Sequence, residues 1–165
     1  MKKLLLLLLV FSGSVLTTFA QSSSGKARFS AGFELGLPAG TSSNIYNIGW
    51  GGSLKYEIPV ARQTMFTITG GVTSFAAKLN NFSYTDSFVP LKAGLKYYLS
   101  QGFYAEGQLG VAFYVGSDGV FSYFAYSPGI GYTFNGHFDL GARYEGWVKS
   151  GGTLSQLALR AAYNF

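Results

Sequence analysis

The 165-residue chain carries 12 Lys and Arg against 7 Asp and Glu, a formal net charge of +5, with 12% charged and 48% hydrophobic residues. It has no cysteine, which excludes disulfides, thiolate metal centres and a lipid anchor on an N-terminal cysteine. With 23 Gly, 15 Phe and 12 Tyr it is too aromatic for disorder, and its charge is too sparse for an ordinary water-exposed surface.

Lys2 and Lys3 precede an apolar run from Leu4 to Phe11, and small residues follow at Thr18 and Ala20. This layout predicts a secretory signal peptide over residues 1–20, cut after Ala20. Ser12, Gly13, Ser14, Thr17 and Thr18 interrupt the run too early for a spanning helix, which needs about 20 apolar residues. Removal of the segment takes two positive charges with it and leaves no polybasic block, so nucleic acid is not an expected partner. The remaining length suits one domain.

Residues 21–27 read as a Ser-rich flexible tail. A first strand is predicted from Arg28 to Gly36, with Phe29, Ala31, Phe33 and Leu35 on one face, and a proline-containing loop from Leu37 to Tyr46. A second strand covers Asn47 to Ile58, a turn Pro59 to Gln63, and a third strand Thr64 to Phe75. After a polar loop from Ala76 to Ser87, a fourth strand runs from Phe88 to Leu99, a tight turn covers Ser100 to Gly102, and a fifth strand runs from Phe103 to Val115. A loop over Gly116 to Ser122 leads to a sixth strand, Tyr123 to Phe134, and Asn135-Gly136 is a two-residue hairpin signal. His137 to Lys149 forms the seventh strand, and Ser150 to Leu154 a short loop. The eighth strand, Ser155 to Phe165, alternates Leu157, Leu159, Ala161, Tyr163 and Phe165 against Gln156, Ala158, Arg160, Ala162 and Asn164.

The eighth strand has the length of roughly 9 to 11 residues that a tilted strand needs to cross a bilayer. Connections after the odd-numbered strands read as mostly longer than those after the even-numbered ones, as in bacterial outer-membrane barrels. The predicted fold is therefore all-β, an eight-stranded antiparallel up-and-down transmembrane β-barrel over residues 28–165.

Charge placement identifies the lumen face. In the four strands with more than one charge (Arg28 and Glu34; Lys55 and Glu57; Lys92 and Lys96; Asp139, Arg143, Glu145 and Lys149) all charges share one parity, which chance gives about once in 64 trials for a period of two. Glu106 and Arg160 take the same phase. A narrow barrel interior filled with paired charges among small residues follows, because an isolated buried charge costs several kcal/mol. The expected lumen network is Glu34, Lys55, Glu57, Lys92, Lys96, Glu106, Asp139, Arg143, Glu145 and Arg160. Aromatics fall on the apolar phase near strand ends: Phe29, Tyr56, Phe66, Tyr97, Phe103, Tyr132, Phe134, Phe138, Tyr163 and Phe165 toward one end, Trp50, Phe113, Phe124, Tyr126 and Tyr144 toward the other. That is the arrangement of two interfacial girdles.

The signal peptide, the alternating strands, the Gly129-Ile130-Gly131-Tyr132 spacing and the terminal Tyr163-Asn164-Phe165 make the chain resemble small OmpA/OmpX-type barrels. It resembles more closely the porin-like outer-membrane β-barrel family of Bacteroidetes type. The resemblance implies export to the cell outer membrane of a Gram-negative bacterium, contact with outer-membrane lipid, and recognition of Tyr163 and Phe165 by the barrel-assembly machinery. Ala161 departs from the glycine often found in that signal.

Chemistry is sparse. One His and no Cys give no metal set, and no cofactor is expected. His137 with Asp139 two residues on could form a base and its orienting acid, as lipid A deacylases use; against this stand a missing nearby serine and a place at the periplasmic rim. Asn81-Phe82-Ser83 matches a glycosylation sequon by chance, and Tyr46, Phe82 and Tyr84 are loop aromatics available to an external partner, whether ligand or envelope protein. The function read from the sequence is a non-enzymatic membrane-integral structural or interaction protein with a filled, salt-bridged lumen. A narrow channel for ions or small solutes is the alternative, followed by a lipid A-modifying enzyme and a soluble ligand-binding barrel.

Overall fold

Alternation of apolar and polar residues with a period of two makes strands, and nothing in the chain interrupts that period for long. The computed structural model describes residues 26–77, 85–116 and 119–165. The signal peptide, most of the tail, the Asn81 sequon, Phe82 and Tyr84 lie outside the described residues. Among the described residues there are eight strands: β1 (Arg28–Ala39), β2 (Tyr46–Ala61), β3 (Thr64–Ala77), β4 (Thr85–Tyr98), β5 (Phe103–Gly116), β6 (Gly119–Phe134), β7 (Phe138–Lys149) and β8 (Gly152–Asn164). Each is antiparallel to its sequence neighbours, and β1 pairs with β8, for example Leu35 with Leu159, so the sheet closes on itself without an edge.

The outward face is the apolar one. Leu95, Leu109, Leu140 and Leu159 are 54%, 60%, 51% and 51% exposed, while Lys96 is fully buried inside. A water-soluble barrel would show the reverse. Phe29, Tyr56, Tyr97, Tyr132, Phe134, Phe138, Tyr163 and Phe165 are exposed around the mouth that carries the β2–β3, β4–β5 and β6–β7 turns, and Trp50, Phe124 and Tyr144 toward the opposite mouth. Below, these are called the turn end and the loop end.

Most strands run further than the sequence predicts. The expected loop at Leu37 to Tyr46 shrinks to a 3-10 turn at Gly40–Asn44, because β1 continues to Ala39 against β8 alone, pairing Leu37 with Leu157 and Pro38 with Gln156. The expected loop Gly116 to Ser122 is mostly strand, with β5 and β6 paired as far as Gly116 and Gly119. The loop at Ser150 to Leu154 is a tight turn at Ser150 and Gly151, closed by the Lys149–Gly152 pair and by Gly151 at φ +98°. The connection after β7 is thus as short as the one after β2, and the expected contrast in connection length fails there. Asn135 and Gly136 do form the turn, both at positive φ, 49° and 76°, closed by the His137 N–H donating to the Phe134 carbonyl at 3.0 Å; three residues rather than two separate the Phe134–Phe138 pair, because β7 starts at Phe138 and not at His137.

All four prolines lie inside strands at interrupted ladders. Pro38 lies beyond the last β1–β2 pair, Pro59 at a register shift, Pro90 between the Leu91–Gly70 and Phe88–Thr73 pairs, and Pro128 between the Tyr126–Gly146 and Gly129–Arg143 pairs. Pro38, Pro90 and Pro128 keep a partner on the other side, Gln156, Ala112 and Gly107 respectively, and Pro59, which lies beyond the last β1–β2 pair, Arg28–Glu57, keeps Met65 on β3. Lacking an N–H, proline costs a strand only the bond on one side.

Candidate functional site

Inward-facing positions carry the charges, and closure of the barrel brings them together. Lys55 meets Glu106 at 2.6 Å as a separate pair. The other eight form one chain of contacts: Glu57 to Lys96 at 2.8 Å, Lys96 to Asp139 at 3.1 Å, Asp139 to Arg160 at 3.9 Å and Arg160 to Glu34 at 3.7 Å. Glu34 then meets Arg143 at 2.5 Å, and Arg143 meets Glu145 at 3.4 Å, with Lys92 bound to Glu145 at the far end. Five bases face five acids, and none of the ten side chains is more than 12% exposed. These ten charges are therefore neutral as a set, which is the condition for holding ions away from water.

Neutral groups complete the network. Asp139 accepts hydrogen bonds from the Tyr104 hydroxyl at 2.8 Å and the Thr133 hydroxyl at 3.0 Å. The Arg160 guanidinium donates to Ser53 and Ser30, Gln156 donates to Glu145, and Gln108 donates to Thr67 and Thr69. Large inward side chains rest over inward glycines on the next strand. Phe75 covers Gly49 and Tyr104 covers Gly131, and a Cβ at either glycine would lie 2.5 Å or less from the ring or its hydroxyl.

The expectation of a lumen filled with paired charges among small residues does not hold at the loop end. There Phe75, Phe88 and Trp147 fill the lumen, with Phe88 and Trp147 centroids 4.7 Å apart and Phe75 5.9 Å from each. Tyr46, Tyr114, Tyr123 and Leu154 pack around them. Parity was the available signal: Phe75 shares the phase of Thr67, Thr69 and Thr73, Phe88 that of Lys92 and Lys96, and Trp147 that of Asp139 and Glu145.

Three charges on the inward phase stand outside the network: Arg28, Lys149 and Asp86, the last of which falls in an expected loop and lies instead at the loop end of β4, on the phase of Lys92 and Lys96. Arg28 sits at the turn end with its guanidinium 5.7 Å from the Tyr98 ring, and Lys149 is exposed at the loop end with its ammonium 3.9 Å from the Phe121 ring. His137 lies just outside β7, exposed, stacked on Tyr163 and with Nδ1 3.5 Å from the Asn164 carbonyl. The Asp139 carboxylate is engaged by Lys96, Tyr104 and Thr133, so the two do not form a base and orienting acid. Within the lumen a cavity of about 20 Å³ lies beside Lys55, Glu106, Ser127 and Arg143, room for a single water.

No protein-family signature matches the sequence, and no curated protein does. Solved structures do match the fold. The outer-membrane protein Ail of Yersinia pestis in a phospholipid nanodisc superposes with a TM-score of 0.62 at 15% identity, covering 86% of this chain and 100% of that one. The fold is that of a transmembrane barrel. The N-terminal β-barrel domain of Pseudomonas aeruginosa OprF matches with a TM-score of 0.58 at 14% identity over 84% of this chain and 97% of that one. A de novo designed transmembrane β-barrel matches with a TM-score of 0.55 at 15% identity over 84% and 95%.

Proposed function

We propose that the chain is an outer-membrane barrel that acts without catalysis, as a structural or interaction protein whose lumen is shut. One observation carries the reading: an apolar belt faces outward while ten paired charges and an aromatic layer occupy the space a conduit would need. A solute larger than water has no room in the 20 Å³ lumen cavity. The reading includes export through a cleaved leader at residues 1–20, kinship with the Bacteroidetes-type porin-like barrels, and use of lipid-facing Tyr163 and Phe165 by the assembly machinery. Contacts with a ligand or envelope protein would fall to the mouths of the barrel, since its wall meets lipid.

Planar-bilayer recording of the pure protein tests this. Wild type is expected to give no steady unitary current. A steady current that disappears on replacing Lys92 or Glu106 would establish the narrow-channel alternative instead.

A further inference from the structure

The loop end carries a cup of about 560 Å³, within the range of small-molecule sites, whose wall includes Tyr46, Asp86, Phe88, Tyr114, Tyr123 and Lys149. Asp86 is 8% exposed, and its two carboxylate oxygens accept hydrogen bonds from the Tyr46 and Tyr114 hydroxyls at 2.6 and 2.9 Å. Among the described residues it is the acid that takes part in no ion pair, while the other five all do. A carboxylate this far from water and held by the neutral hydroxyls of two tyrosines leaves its negative charge for a cation to balance. Aromatic faces attract cations through their quadrupoles, most effectively where water is excluded. A cation already sits on aromatic rings at the rim, where the Lys149 ammonium lies 5.4 Å from the centroid of Tyr123 in the cup wall and 3.9 Å from that of Phe121 beside it.

We propose that this cup binds a small organic ammonium, its cation seated at Asp86 between the tyrosine rings. An anionic group on the same molecule gains from Lys149 at the rim. The site is independent of whether the lumen conducts.

Calorimetric titration of the full protein in maltoside micelles with choline, phosphocholine and the uncharged isostere 3,3-dimethylbutanol tests the proposal. Phosphocholine is expected to bind most tightly, choline next, and the neutral isostere at least tenfold more weakly than choline. Asp86→Asn, which removes the charge and keeps one oxygen to accept from a tyrosine hydroxyl, should lower choline affinity at least tenfold. Lys149→Gln should lower phosphocholine affinity and leave choline within twofold. Equal binding of choline and its neutral isostere overturns the proposal, as does the absence of saturable binding of either ammonium probe to wild type. The wild-type ranking needs no variant to fold. Repeating the choline titration in phosphatidylglycerol and in phosphatidylcholine vesicles separates the sources. Weaker binding in phosphatidylcholine assigns the site to a lipid headgroup, and equal binding assigns it to a soluble ligand.

Discussion

A buried ion pair is a conditional stabiliser: attraction inside a dry barrel offsets a desolvation cost of several kcal/mol per ion, and the balance depends on both partners being present. Lys55 and Glu106 give the cleanest case here, since their 2.6 Å contact stands apart from the eight-membered chain. Lys55→Met alone should cost about 3 to 5 kcal/mol, because Glu106 is left charged in the lumen. Lys55→Met with Glu106→Leu should recover most of that loss, the two apolar side chains filling the volume of the pair. Urea unfolding from lipid micelles measures both, and a double variant as unstable as the single one would show that the attraction outweighs desolvation. At this scale the ten charges were legible from parity alone, since a lipid-facing charge near the midplane costs about 2 to 4 kcal/mol. The inner aromatics were not. Phe75, Phe88 and Trp147 sit on the polar phase, but in a chain where most aromatics face lipid, residue type pointed the wrong way.

Strands were legible in number and order, and less so in their ends. Proline and glycine mark loops in most chains because they break ladders or take unusual backbone angles. In a closed barrel a strand has two neighbours and survives losing a bond to one, so β1 runs through Pro38 and β2 through Pro59 to Ala61. Where the turn demands positive φ at both positions, the sequence signal and the structure coincide, as at Asn135-Gly136 between β6 and β7. Gly136→Ala forces a Cβ into φ +76° and should destabilise the barrel by about 1 to 2 kcal/mol. The β6–β7 hairpin should also close more slowly during insertion into vesicles. Gly152→Ala serves as the control, because a Cβ there meets nothing within 4 Å and its backbone is not strained. Equal loss in both variants would mean that the turn is not what positions the hairpin.

For the whole molecule, the likeness of fold to natural barrels and to a designed one at 14 to 15% identity fits an architecture that follows from pattern and closure rather than from particular side chains. In this chain the lumen is sealed in two tiers by different physics. The loop-end tier is aromatic and excludes water by packing; the tier below is ionic and excludes passage because each charge is held by a partner. Opening the upper tier with Phe75→Ala, Phe88→Ala and Trp147→Ala should therefore leave the protein silent in planar bilayers, since the Glu34–Arg143 and Lys96–Asp139 contacts still cross the bore. Adding Glu34→Ser and Arg143→Ser removes side chains from both ends of the central contact and should produce a small steady current. The heat-modifiable gel shift shows in each case that the barrel is intact. Conduction by the aromatic triple variant alone would make packing the only seal and the ionic tier a neutral filling; silence in the combined variant would mean that Lys96, Tyr104 and Arg160 close the bore without help.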